Sequence, residues 1–127
     1  MENDLKRLHE LLLRGRCCAS ALVEMALEMK GDRNEQLVEA VSALCGGLRC
    51  GLLCGALTGA ACMINILAPK NAVNELVQEL VEWFQFTYGE RYGGINCADI
   101  TENDPSSSRM RCVALIEATY LQSKRIL

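Results

Sequence analysis

The feature that most constrains this chain is a run of twenty residues, Cys50 to Pro69, without a single charge. Such a run is close to the length that crosses a bilayer, and only a membrane or a protein core can accept it. Gly51, Gly55 and Gly59 repeat in it at four-residue spacing, which puts small residues on one helix face and lets a second helix approach closely. Asn65, the cysteines and the small glycine and threonine positions reduce the apolar gain per residue. The flanks carry no positive bias: seven basic and eight acidic residues precede the run, and six and eight follow it. The balance favours a buried core helix, starting near Leu52 and ending before Pro69, over a membrane span.

A chain of 127 residues holds one compact domain with a core of its own, and residues 1–127 are read as a single domain. Half of the residues are hydrophobic but only 5% are aromatic, so Leu, Val, Ala, Met and Cys must build the interior. That composition predicts an all-α fold, a bundle of about five helices around the Gly/Ala/Cys-rich one.

In the N-terminal part, Leu5, Leu8, Leu12, Ala19, Leu22 and Ala26 recur at helical steps between about Asn3 and Met29, with Gly15 either interrupting the helix or marking a close contact. Lys30-Gly31 ends this segment. Asp32 and Glu35 have capping spacing for a short second helix marked by Leu37, Val41 and Leu44, which stops at Cys45-Gly46-Gly47. Beyond the central helix, a fourth should run from about Asn71 to Phe86, with Val73, Leu76, Val77, Leu80 and Phe84 inward and an aromatic group at its end (Trp83, Phe84, Phe86, Tyr88, Tyr92) that reads as a packing cluster or subunit contact. Ile95 to Ile100 suits a short helical turn, and TENDPSSS from Thr101 to Ser108 an exposed loop. A last helix, capped by one of those serines, turns Val113, Ile116, Ala118 and Tyr120 or Leu121 inward.

Several functions are disfavoured by the residues present. A net charge of −3 gives no electrostatic footprint for nucleic acid. His9 is the only histidine, on a polar helix beside Glu10, and reads as a surface residue; a Cys-His catalytic pair would depend on it. The glycine-rich stretch lacks the Lys-Ser or Lys-Thr ending of a phosphate loop and the βα context of a dinucleotide site.

The eight cysteines remain. The N-terminus, MENDLKRLHE, has none of the pattern of an export signal, which leads us to expect a cytoplasmic, reducing location where clustered cysteines signify metal binding or thiol chemistry more often than structural bridges. Four of the eight lie between Cys45 and Cys62, but no C-x-x-C occurs, and Cys45, Cys50 and Cys54 only approach the local spacing of plant-type iron-sulfur proteins. For any one cysteine, service as a small buried hydrophobe is at least as good a reading.

The hexamer Cys54-Gly55-Ala56-Leu57-Thr58-Gly59 carries a more specific signal. With Cys18-Ala19, Gly46-Gly47, Gly94-Ile95-Asn96-Cys97 and Cys112, this C-G-A-x-x-G hexamer resembles the family of redox-active proteins with four shared cysteines, the C_GCAxxG_C_C family, from about Cys18 to Tyr120. The resemblance implies redox activity. A similar domain attached to an unusual dihaem cytochrome carries an iron-sulfur cluster, which implies Cys18, Cys54, Cys97 and Cys112 as metal ligands, a two-iron two-sulfur cluster being favoured. On this reading Cys54, Cys97 and Cys112 lie in or near first helical turns, where backbone N–H groups favour thiolate, and Gly55 and Gly59 are the cofactor-side positions that let backbone approach sulfur.

Two alternatives stand beside electron transfer through a cluster. One is a thiol-disulfide protein with Cys54 as the reactive thiol and Cys18, Cys97 or Cys112 as resolving partner; the other is a helical assembly protein with buried thiols. Cys17, Cys45, Cys50 and Cys62 fall outside the four and read as packing, reserve ligands or a redox pair. The expected partner is another redox protein, with neither nucleic acid nor membrane, and the aromatic end of the fourth helix together with the small-residue ridge suits a homodimer.

Overall fold

The computed structural model describes residues 2–71, 75–101 and 105–127, and within them the chain is all-helical. The helices are α1 (Glu2–Leu13), α2 (Cys18–Lys30), α3 (Glu35–Val41), α4 (Gly55–Leu67), α5 (Val77–Phe84), α6 (Cys97–Thr101) and α7 (Pro105–Ile126), with shorter helical turns at Ser42–Leu44, Pro69–Asn71 and Gln85–Gly89. The elements outnumber the five or so expected because segments that read as one helix break where glycine or a tight turn intervenes. Gly15, at φ 95°, lies in the left-handed region and separates α1 from α2.

Most of the charge-free run, Gly55 to Leu67, is a core helix; it starts three residues later than expected, because Cys50 to Leu53 belong to an exposed turn and extended segment in which Gly51, at φ 80°, lies off the helix face of Gly55 and Gly59. α4 lies against α2 and is bordered by α5 and α7; Ala56, Leu57, Ala60, Met63 and Ile64 on it are buried together with Leu8, Leu22, Ala26, Leu80, Phe84, Leu115, Ile116 and Tyr120. No helix among the described residues is long and apolar enough to cross a membrane. A smaller cluster, Val23, Leu27, Val38 and Val41, holds α3 onto the outer side of α2.

The small-residue ridge sets how closely α2 and α4 approach. A Cβ on Gly59 would stand 2.6 Å from Cα of Ala19 and 3.1 Å from its carbonyl oxygen, so only glycine permits this contact. Gly55, one turn earlier, faces the start of α2 in the same way.

Three local expectations change. The cap of α3 is Asn34, whose side-chain oxygen accepts the Leu37 N–H at 3.0 Å, rather than Asp32, because Asn34 immediately precedes the first helical residue. Residues 105–108, expected in a loop, already belong to α7: proline suits a first turn, where its missing N–H has no intrahelical partner to lose, so the serines follow the helix start instead of capping it. Val113 is exposed, since the inward face of α7 runs through Cys112, Ile116, Tyr120 and Ser123 in steps of three or four. The buried Thr119 and Ser123 hydroxyls are satisfied by donating to the carbonyls of Leu115 and Thr119 at 2.7 and 2.8 Å. Residues 102–104 and Val73 lie outside the described residues.

The aromatic group at the end of α5 is a packing cluster. Trp83, Phe84 and Tyr88 meet edge to face, Tyr88 stacks on Tyr92 at 6.1 Å between centroids, and only Phe86 points fully outward.

Candidate redox site

Between α3 and α4 the chain makes an unusual turn. Gly46, Gly47, Leu48 and Arg49 all have φ between 59° and 65°, a short left-handed run that costs Leu48 and Arg49 roughly 1–2 kcal/mol each because their Cβ atoms crowd the backbone. Leu52 N–H closes it on the Gly47 carbonyl at 2.9 Å, and Arg49 donates to the Ser42 carbonyl at 3.1 Å. The chain then extends and pairs briefly with the segment before α6. Cys54 N–H donates to Ile95 O at 3.1 Å and Cys97 N–H to Leu52 O at 2.6 Å, around an antiparallel bridge between Leu53 and Asn96. This bridge binds the Cys54 segment to the Cys97 segment, forty-odd residues apart in sequence.

Each of the four thiols is brought in by a different helix. Cys18 is the first residue of α2, Cys54 the N-cap of α4, Cys97 the first residue of α6, and Cys112 lies near the middle of α7. The Cys18 sulfur rests against Gly55, where an added Cβ would come within 2.7 Å of it. Gly55 therefore makes room for a thiol, while Gly59 makes room for the backbone of Ala19.

The thiols act on one another's ionisation. Burial pushes Cys18 up to about 11, opposed by the backbone N–H groups of Ala19 and Gly46 and reinforced by Cys112 and Cys97. Burial likewise pushes Cys54 up to about 12, opposed by the N–H groups of Ala56 and Leu57 at the start of α4 and reinforced by Cys18 and Cys112. Cys97 is raised by burial, and Cys112 by burial and then by Cys97. The start of α4 does favour thiolate at Cys54, as expected, and the start of α2 does so at Cys18, where it was not expected, whereas at Cys97 burial is the only influence; in each case burial prevails and the resting groups are neutral thiols. At Cys112 the dipole argument does not apply, because α7 begins at Pro105 and the dipole's effect is confined to the first turn.

Tyr88 borders the same neighbourhood, its hydroxyl raised by burial, with Cys54 among the smaller contributors. In the sequence it stood only as one of the aromatic group.

The donor set, four thiols drawn from four elements, is chemically suited to soft metals and iron-sulfur clusters. Among the described residues, however, no group of three or more His, Cys, Asp or Glu side chains is arranged to hold a metal ion, so the thiols share a neighbourhood without converging on one point. All four are free.

The remaining cysteines divide. Cys17 and Cys45 form a disulfide, Cα to Cα 6.1 Å, directly beside Cys18; nothing in their sequence spacing singled them out as a pair. Cys50 is exposed in the left-handed turn, its thiol directed at the Gly47 carbonyl at 3.7 Å, and Cys62 is half-buried on the far side of α4 beside Val23, Leu37 and Val41. His9 is exposed and paired with Glu117.

No curated protein and no solved structure matches this chain. The family model described as "Putative redox-active protein (C_GCAxxG_C_C)" matches residues 16–126, which include all four of the thiols that act on one another, and the chain belongs to that family.

Proposed function

We propose that Cys18, Cys54, Cys97 and Cys112 form the redox site of this protein and serve as ligands to an iron-sulfur cluster, a two-iron cluster by preference, or to another soft metal, for electron transfer with a protein partner. The observation that carries this reading is the placement of the four free thiols: the Cys18 sulfur rests against Gly55, next to Cys54, the backbone bridge ties the Cys54 segment to the Cys97 segment, and Cys112 packs on the same core cluster as Cys18 and Cys54. Burial disfavours thiolate at each of them, and a bound cation supplies the charge that lets all four give up their protons at neutral pH. A bound cluster would supply one-electron chemistry. The protein's own contribution is to hold Cys18 against Gly55 and Gly46, to offer backbone N–H groups to the Cys18 and Cys54 sulfurs, and to keep water from Cys54. Ligation requires the four sulfurs to draw together, and the non-helical stretches on either side of the Leu53–Asn96 bridge, 52–54 and 93–96, are the parts of the site with no helical hydrogen bonds to resist such movement.

Anaerobic purification, or reconstitution with ferrous iron and sulfide, followed by iron and sulfide assay and a visible spectrum, tests this. The expected result is a coloured protein that loses its iron on serine replacement of any of the four. A colourless, iron-free protein that resists reconstitution overturns it.

The second reading, thiol-disulfide exchange with Cys54 as reactive thiol and Cys18, Cys97 or Cys112 as resolving partner, draws support from the shared neighbourhood of the free thiols. The neutral, buried state of Cys54 counts against it, because thiolate is the attacking form. A single dominant bridge among the four, found by mass mapping of the oxidised protein, would favour it over the cluster.

A further inference from the structure

The Cys17–Cys45 disulfide lies outside the four-thiol set yet touches it on two sides. Cys17 is the N-cap of α2 and is joined by one peptide bond to Cys18. Cys45 opens the left-handed turn; its Cα and the preceding Leu44 carbonyl face Gly55, each 3.2 Å from where a Cβ would stand, and the next N–H, that of Gly46, favours the Cys18 thiolate. The two halves are unequal. Cys45 is buried at 6% exposure, whereas Cys17 is partly open to solvent and its sulfur lies 3.2 Å from the Ser20 hydroxyl. A thiolate released at Cys17 would find both that hydroxyl and the positive end of a thirteen-residue helix.

We infer that Cys17–Cys45 is a second, two-electron redox site, which exchanges with a dithiol and thereby controls access to Cys18. A thiolate of the dithiol attacks the more open Cys17 sulfur; the Cys17–Cys45 bond breaks, and Cys45 leaves with the electron pair and takes up a proton. The second thiol of the dithiol, on losing its proton, attacks its own partner sulfur in the mixed disulfide and expels Cys17 as a thiolate. The dithiol is oxidised to a disulfide and the protein disulfide is reduced to two thiols, so electrons and protons balance with no further reagent. Once Cys45 is released, the turn from Cys45 to Gly51, which holds Leu48 and Arg49 in disfavoured backbone, is no longer tied to the start of α2, and the wall that Cys45 and Gly46 form beside Cys18 loosens. Cys18 matters in this scheme because the proposed function makes it a ligand, and to that extent the inference rests on that reading.

The experiment is native-state thiol labelling of the full chain, with and without dithiothreitol, mapped residue by residue by mass spectrometry. Dithiothreitol should reduce Cys17–Cys45 in the folded protein, oxidised dithiothreitol should restore it, and Cys18 should label about tenfold faster after reduction while Cys62 keeps its rate, as local opening requires. A Cys17→Ser/Cys45→Ser variant should show the fast Cys18 rate without reductant. A disulfide absent from the purified protein, one reducible only in denaturant, an unchanged Cys18 rate, or equal acceleration at Cys18 and Cys62 overturns the inference. None of these readouts requires iron. Failure to load iron therefore tests the four-thiol site alone, and failure of the labelling pattern tests the second site alone.

Discussion

Replacing Gly59 with alanine tests directly whether the contact between α2 and α4 positions the redox site. The new methyl would lie 2.6 Å from Cα of Ala19 and 3.1 Å from its carbonyl oxygen, well inside van der Waals contact, and the obstructing atoms are backbone, so no rotamer change relieves the clash. The helices must separate. Overpacking of this kind costs roughly 1–3 kcal/mol, and a rigid backbone neighbour puts this site at the upper end. Against that, alanine gains about 1 kcal/mol over glycine inside a helix. The net expectation is a loss of about 2 kcal/mol, which at roughly 2.1 cal/mol/K of unfolding entropy per residue lowers Tm by about 7 °C in a chain of this length. Gly89 is the internal control. It too has helical dihedrals, φ −57° and ψ −49°, but an added Cβ there meets nothing within 4 Å, so Gly89→Ala should gain roughly 0.5–1 kcal/mol. Thermal and urea unfolding followed by circular dichroism measure both. Because Cys18 rests on Gly55 one turn away, Gly59→Ala should also raise the Cys18 labelling rate. A Gly59→Ala protein as stable as the wild type, or more stable, would refute the close-approach argument and with it the account of how Cys18 is placed.

Other outcomes follow from the same structure. Gly55→Ala would drive a methyl to 2.7 Å from the Cys18 sulfur and 3.2 Å from Cys45 Cα and the Leu44 carbonyl oxygen; because the thiol can rotate away and the backbone neighbours need give only a few tenths of an ångström, the stability loss should be smaller than at Gly59, about 1 kcal/mol, while iron loading should fall much further. The raised values of Cys18 and Cys54 mean that the folded state prefers neutral thiols: their contribution is fully present below about pH 9, the ordinary thiol value, and is lost as pH rises through about 11 and 12, so metal-free protein should be progressively destabilised in alkaline urea titrations, and serine at both positions should flatten that slope. At neutral pH the exposed Cys50 should label first and Cys54 last, by mass-mapped alkylation. Removing the Cys17–Cys45 bridge, which closes a loop of 28 residues, should cost about 3.5 kcal/mol on the chain-entropy model, seen as a lower urea midpoint. Lys124 donates to Asp4 at 2.7 Å and, as the main cause, holds its carboxyl below the ordinary value; this partly exposed pair contributes above about pH 4 and fades as the pH falls, so Asp4→Asn should cost no more than about 1 kcal/mol at neutral pH by denaturant titration.

The amino-acid order by itself determined the helical class, the burial of the charge-free run from Cys54 onward and the place of most core positions, because helix periodicity and the cost of exposing Leu, Met and Ile are local or additive properties. Gly55 and Gly59 were legible as points of close approach for the same reason: four-residue spacing puts them on one face whatever the rest of the chain does. The Cys54–Gly59 hexamer, which reads Cys-Gly-Ala where the family's name has Gly-Cys-Ala, and the ordered cysteines around it pointed to the family. What the sequence could not supply was everything that depends on chain reversal. Cys18, Cys54, Cys97 and Cys112 share a neighbourhood because the Leu53–Asn96 bridge and the contact of α4 with α2 and α7 bring four helices together, and burial there, a collective property, decides that their resting state is neutral. The position of Cys112 was misjudged because whether Pro105 ends a loop or begins a helix depends on whether the following turn finds a surface to pack on. The pairing of Cys17 with Cys45 was invisible for a simpler reason. With eight cysteines and no sequence rule for which thiols meet, only the turn of the chain between α3 and α4, returning Cys45 to the first residue of α2, selects that pair.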